Sequence, residues 1–93
     1  MSDKDDQLEE FRKQIDALDE ELLRILSERM DVARKIGSYK KAHGLELTDP
    51  ERKEAVLAAH LARAKSAGLP EEFVKQLYET IHEHTVAVEA DTP

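Results

Sequence analysis

Leu8, Phe11, Ile15, Leu18, Leu22, Ile25, Arg29, Val32, Ile36 and Tyr39 recur at steps of three and four, with polar side chains between them. That spacing draws one stripe along an α-helix, and a stripe sustained over roughly four heptads marks a helix that lies beside another long helix. Arg29 alone is not apolar. The pattern predicts a first helix over about 6–43, which at a rise of 1.5 Å per residue spans roughly 57 Å. This is longer than a small globule is wide, so the helix must run along a second long helix, most simply its own copy in a homodimer.

Two signals interrupt the chain. "HGLELTDP" (43–50) and "SAGLP" (66–70) each join a helix-stopping glycine to a proline able to open the next helix. They divide the chain into helices over about 6–43, 50–66 and 70–89. The third has its apolar stripe at Phe73, Val74, Leu77, Ile81, His84 and Val88, with Thr85 and Glu89 at i, i+4 along one edge. Ser2–Asp6 and Ala90–Pro93 read as frayed ends. No alternating strand pattern, repeat or low-complexity tract is visible, so the expectation is an all-α fold with one domain over 1–93.

Composition narrows the function. With 93 residues, 40% of them apolar, a lone chain buries too little surface to be very stable. There is no cysteine, which excludes disulfides, thiolate metal sites and cysteine nucleophiles. A formal charge of −7 argues against general binding to nucleic acid or anionic membranes, so an anion site has to be local. The acidic start and the lack of an apolar run of membrane length predict a soluble, cytoplasmic protein.

Helix geometry sorts the cations. At 100° per residue Arg29 and Lys40 fall roughly 20° apart and about 17 Å along the axis, both in the seam, whereas Arg34, Lys35 and Lys41 point elsewhere. Arg12 is roughly 100° round from Arg29 and about 26 Å away, out of reach of the same small molecule unless a two-fold partner supplies it. Asp49 is placed to cap the second helix, Pro50 to open it, and Arg52 falls in the first turn, where a cation opposes the helix dipole. Taken singly, Arg29 reads equally well as a seam residue paired with an acid or setting register, and Arg52 as a solvated side chain. Together with Lys40 they read as donors arranged for a small dianion. His82 and His84, two apart on a helix, face different directions, and His43 and His60 are scattered, so no metal site is expected.

The stretch "FRKQIDALDEELLRILSERMDVARKIGSYK", followed by "TDPER" and by "YETIHEHTVAVE", resembles the all-helical chorismate mutases over about residues 8–89. The spaced set Arg12, Arg29, Lys40, Asp49 and Arg52 carries the resemblance. It implies an intertwined homodimer of three-helix chains with two shared sites and a rearrangement of chorismate to prephenate in aromatic amino acid biosynthesis. No cofactor is implied. By motif position, Arg12 comes from the partner chain, Arg29 and Lys40 hold the substrate carboxylates, and Lys40 also reaches the ether oxygen. Asp49 and Arg52 line the same site, Thr85 meets a carboxylate, and Glu89 stands where a glutamine commonly faces the ether oxygen. A carboxyl there donates a hydrogen bond only when protonated, so the resemblance also implies activity that rises toward acid pH.

Lys53 departs from the pattern, because the family usually places there a glutamate that contacts the ring hydroxyl. Glu54 lies one position late and about 100° round the helix. Isochorismate pyruvate-lyases, which resemble this family and lack that glutamate, are the nearest alternative enzyme. Relatives acting on 4-amino-4-deoxychorismate fit less well, since Lys53 would repel an ammonium. A different class remains open: a non-catalytic helical dimerisation module whose cations pair between chains with Asp16, Asp19 or Glu28.

Overall fold

The computed structural model describes residues 3–92, and within them the chain is all-α. Its three helices are α1 (Asp3–Ala42), α2 (Pro50–Ser66) and α3 (Glu71–Asp91). Each boundary has a local cause. Gly44 and Gly68 take positive φ, 62° and 74°, which costs a residue without a β-carbon little. Behind them Leu45 N–H donates to the Lys40 carbonyl at 2.8 Å and Leu69 N–H to that of Ala64 at 2.9 Å, the wide turn that closes a helix on glycine. Asp49 caps α2: its side chain accepts from the Arg52 N–H at 3.1 Å, and Pro50 occupies the first turn, where no donor is missed.

Three expectations need correction at the ends. Asp3–Asp6 is helical rather than frayed, as suits an acidic run at the positive pole of a helix, while Ser2 lies outside the described residues. Pro70 is the N-cap of α3 and not its first residue; its carbonyl takes the Val74 N–H at 3.2 Å. The helix then continues through Ala90 to Asp91, with Thr92 as C-cap; Pro93 also lies outside the described residues.

Contacts divide the chain into two compact units, Met1–Asp31 and Val32–Pro93. The first is the greater part of α1, with Leu8, Phe11, Ile15, Leu18, Leu22 and Ile25 exposed along one stripe. The second holds the end of α1 with α2 and α3. Its buried apolar residues are Ala33, Ala64 and Val74, and His60 of α2 stacks on Tyr78 of α3 with ring centroids 3.9 Å apart.

Within this second unit the face that packs is not the apolar seam. Ala33 and Gly37 are buried and Lys40 half-buried, whereas the seam residues Val32, Ile36 and Tyr39, one position back in each case, stay exposed. One position is a 100° turn of the helix. On α3 the inward residues are Val74, Tyr78, Ile81, Thr85 and Glu89. The expected stripe is thereby corrected: Phe73 is 55% and Leu77 42% exposed, and His84 is exposed as well. Small residues on this face of α1 allow a close approach, and the larger apolar side chains of the seam sit about 100° round the helix from it.

Candidate active site

The second unit concentrates its polar chemistry at the end of α1. Lys40 lies in the last turn of that helix, where a cation suits the negative pole. Its Nζ donates to Glu89 Oε1 of α3 at 2.7 Å and to the Leu47 carbonyl of the 43–49 connection at 2.8 Å. Lys40 and Glu89 are 49 positions apart in sequence. The lysine side chain is 22% exposed and the carboxylate 7%, so this is a largely desolvated ion pair. An ammonium has three donors; two are engaged here and one remains for a ligand.

Gly37, one turn before Lys40 on the same face, lies directly against the backbone of Glu89. A β-carbon added there would stand 2.5 Å from the Glu89 carbonyl oxygen and 2.8 Å from its Cα. The sequence reading missed this residue and the carbonyl of Leu47. The signal for the first was present in Ala33 and Gly37, two small residues at i, i+4 beside the seam.

The remaining expected residues are placed as follows. Thr85, half-buried one turn before Glu89, directs its hydroxyl proton to the Ile81 carbonyl at 2.9 Å. Asp49 is engaged as the cap of α2, accepting from the Arg52 N–H through its side chain and from the Lys53 N–H through its carbonyl at 3.0 Å. The side chains of Arg52 and Lys53 are exposed in the first turns of α2. In the first unit Arg29 is half-buried, and Arg12 is exposed with Glu9 Oε2 3.8 Å from its guanidinium. Glu28, an anion available to a dimerisation module, is bonded to Arg24 of the same helix at 2.8 Å. Among the described residues no group of three His, Asp or Glu side chains is placed to hold a metal ion, and no helix is long and apolar enough to cross a membrane.

Lys40 and Glu89 thus form a largely desolvated polar pair in which, among the described residues, one ammonium donor is left over beside a buried carboxyl. Such a pair suits stabilisation of charge on a ligand oxygen, because donors fixed in a desolvated place need not reorganise when charge develops.

The family model for chorismate mutase type II matches residues 11–90. The T-protein of Haemophilus influenzae is 33% identical over 70 residues, covering 75% of this chain and 19% of that protein, so the chain spans about a fifth of that relative's length. The 4-amino-4-deoxychorismate mutase of Streptomyces pristinaespiralis is 33% identical over 84 residues, covering 90% of this chain and 65% of that protein. Among solved structures, form II of the chorismate mutase from Thermus thermophilus superposes with a TM-score of 0.85 at 30% identity, covering 91% of this chain and 96% of that one. A match over most of the chain, together with a shared fold, means that this chain belongs to the chorismate mutase type II family.

Proposed function

We propose that the protein is a chorismate mutase, an isomerase that rearranges chorismate to prephenate, acting as a homodimer with two shared sites. The observation that carries the reading is the 2.7 Å pair of Lys40 and Glu89, the two residues that the resemblance independently assigns to the substrate's ether oxygen. An isomerisation gains and loses no atoms, so the site needs neither cofactor nor nucleophile. It has to hold one compact conformer of the substrate and neutralise the charge that grows on the ether oxygen as its bond breaks. In this reading Arg29 and Lys40 grip the carboxylates, Arg12 of the second chain and Arg52 add positive charge, and the free N–H of Lys40 meets the ether oxygen. Asp49 positions Arg52 by capping its helix. Thr85 turns its hydroxyl from Ile81 toward a substrate carboxylate, Glu89 supplies a second donor when protonated, and Lys53 stands at the ring edge.

Exposure supports the dimer. The apolar seam residues from Leu8 to Tyr39 are between 41% and 60% exposed, a stripe of a kind that soluble monomers rarely leave open. Among the described residues the buried apolar ones, Ala33, Ala64 and Val74, make too small a core to sustain the chain alone. A second copy brings an identical stripe and covers both at once.

A second reading, an aminated substrate, is favoured by the similarity to a 4-amino-4-deoxychorismate mutase, and the exposed ammonium of Lys53 weighs against it. The test is conversion of chorismate, isochorismate and 4-amino-4-deoxychorismate by pure protein, with the products separated by chromatography. Prephenate from the first and no turnover of the others is the expected result. Salicylate and pyruvate from isochorismate make it a lyase, and no conversion of any of the three overturns the enzymatic reading.

A further inference from the structure

Gly37 and Glu89 are both buried and belong to different helices. The β-carbon that any other residue would bring to position 37 stands 2.5, 2.8 and 3.1 Å from the carbonyl oxygen, Cα and carbonyl carbon of Glu89. All three are backbone atoms of a helix, so no flexible side-chain end can give way. Ordinary carbon contacts lie at about 3.5–4.0 Å, and restoring them would push the end of α3 from α1 by on the order of 1 Å. Gly37 precedes Lys40 by three positions, on the same face of the same helix. Moving Glu89 away from Gly37 therefore also moves it away from Lys40, whose 2.7 Å contact leaves little slack before the hydrogen bond is lost.

We infer that Gly37 is a positioning residue: its missing side chain sets the depth at which α3 seats against α1 and so holds the Glu89 carboxyl in register with the Lys40 ammonium. The inference rests on the proposed reading of Lys40 and Glu89 as groups at the reacting centre. Gly37 touches no substrate and acts only through Glu89. Its φ is not positive, so the glycine answers to close approach and not to backbone conformation. Alanine is also the better helix former, which turns any local effect on α1 toward stability and separates it from the effect on the site.

The experiment compares parent, Gly37→Ala, Glu89→Ala and the double variant, each checked for helicity and melting, with a crystal structure of Gly37→Ala. A misplacement of about 1 Å at a reacting centre costs on the order of 100-fold in rate. Gly37→Ala is expected to lower kcat by about that factor with KM little changed. It should cost nothing further once Glu89→Ala is present, because a residue that acts through Glu89 has nothing left to position. In the crystal structure the Lys40 and Glu89 side chains should stand beyond hydrogen-bonding distance. An equal loss in both backgrounds, an ion pair still at its parental length, or a Gly37→Ala chain that does not fold each overturns the inference, the last because the glycine would then hold the fold and not the site. If the parent converts none of the substrates, the proposed function falls on its own, while the ion-pair distance in Gly37→Ala still decides the role of the glycine.

Discussion

Replacing Lys40 with methionine keeps most of the side-chain length and removes the charge. In the parent the ammonium satisfies a carboxylate that is 7% exposed and the carbonyl of Leu47. The variant leaves both without that donor in a place water hardly reaches. Breaking one side of a fully buried pair costs about 3–5 kcal/mol. Because Lys40 itself is 22% exposed, water can partly replace it, and the lower end, about 3 kcal/mol, applies here. For a domain of this size each kcal/mol moves Tm by roughly 4–8 °C, which gives a fall of roughly 12–24 °C. A dimer moves about half as far per kcal/mol but carries two altered sites, so the range stands. Calorimetry at fixed protomer concentration and neutral pH is the assay. Lys40→Met/Glu89→Met serves as the control, since replacing both members of a buried pair by apolar residues is often neutral. Most of the lost Tm should return in the double variant. A single variant that melts within about 3 °C of the parent, or a double variant no better than the single, refutes the claim that desolvation governs the pair.

Other predictions address the site and the assembly. Mixing Arg12→Ala and Arg29→Ala chains, each inactive alone, should restore about one working site per heterodimer, and no recovery after verified subunit exchange counts against shared sites. A dicarboxylate transition-state analogue at about 100 times its Kd should stabilise the parent by about 2.7 kcal/mol and leave the melt of Arg29→Ala nearly unmoved. The dimerisation-module reading expects no ligand effect in the parent and a dimer weakened by Arg29→Ala. Glu89→Gln puts a permanent amide donor where the carboxyl stands and should raise kcat/KM. An unchanged kcat/KM in the folded variant would make Glu89 a bystander.

The helices and their ends were written in local chemistry. Gly44 and Gly68 stop helices because a left-handed residue without a β-carbon closes the last turn, and Asp49 with Pro50 starts one because cap and first turn depend on immediate neighbours. The spaced cations from Arg12 to Arg52 indicated the family without any coordinates, because motif spacing survives as sequence. Periodicity also drew the seam from Leu8 to Tyr39, but it could not say which surface the seam serves. Apolar spacing reports a face and not its partner, so the seam had no stated relation to packing inside the chain. Only the tertiary structure showed that Ala33, Gly37 and Lys40, turned 100° from the seam, form the covered face, with Gly37 and Lys40 meeting Glu89 of α3. Phe73 and Leu77 stay exposed for a related reason: the inward face of α3 is chosen by what fits against small residues, and hydrophobicity alone does not encode that fit. The meeting of Lys40 with Glu89 and Leu47 likewise depends on how far apart two helices sit and on the course of the connection between them, distances that no local pattern specifies.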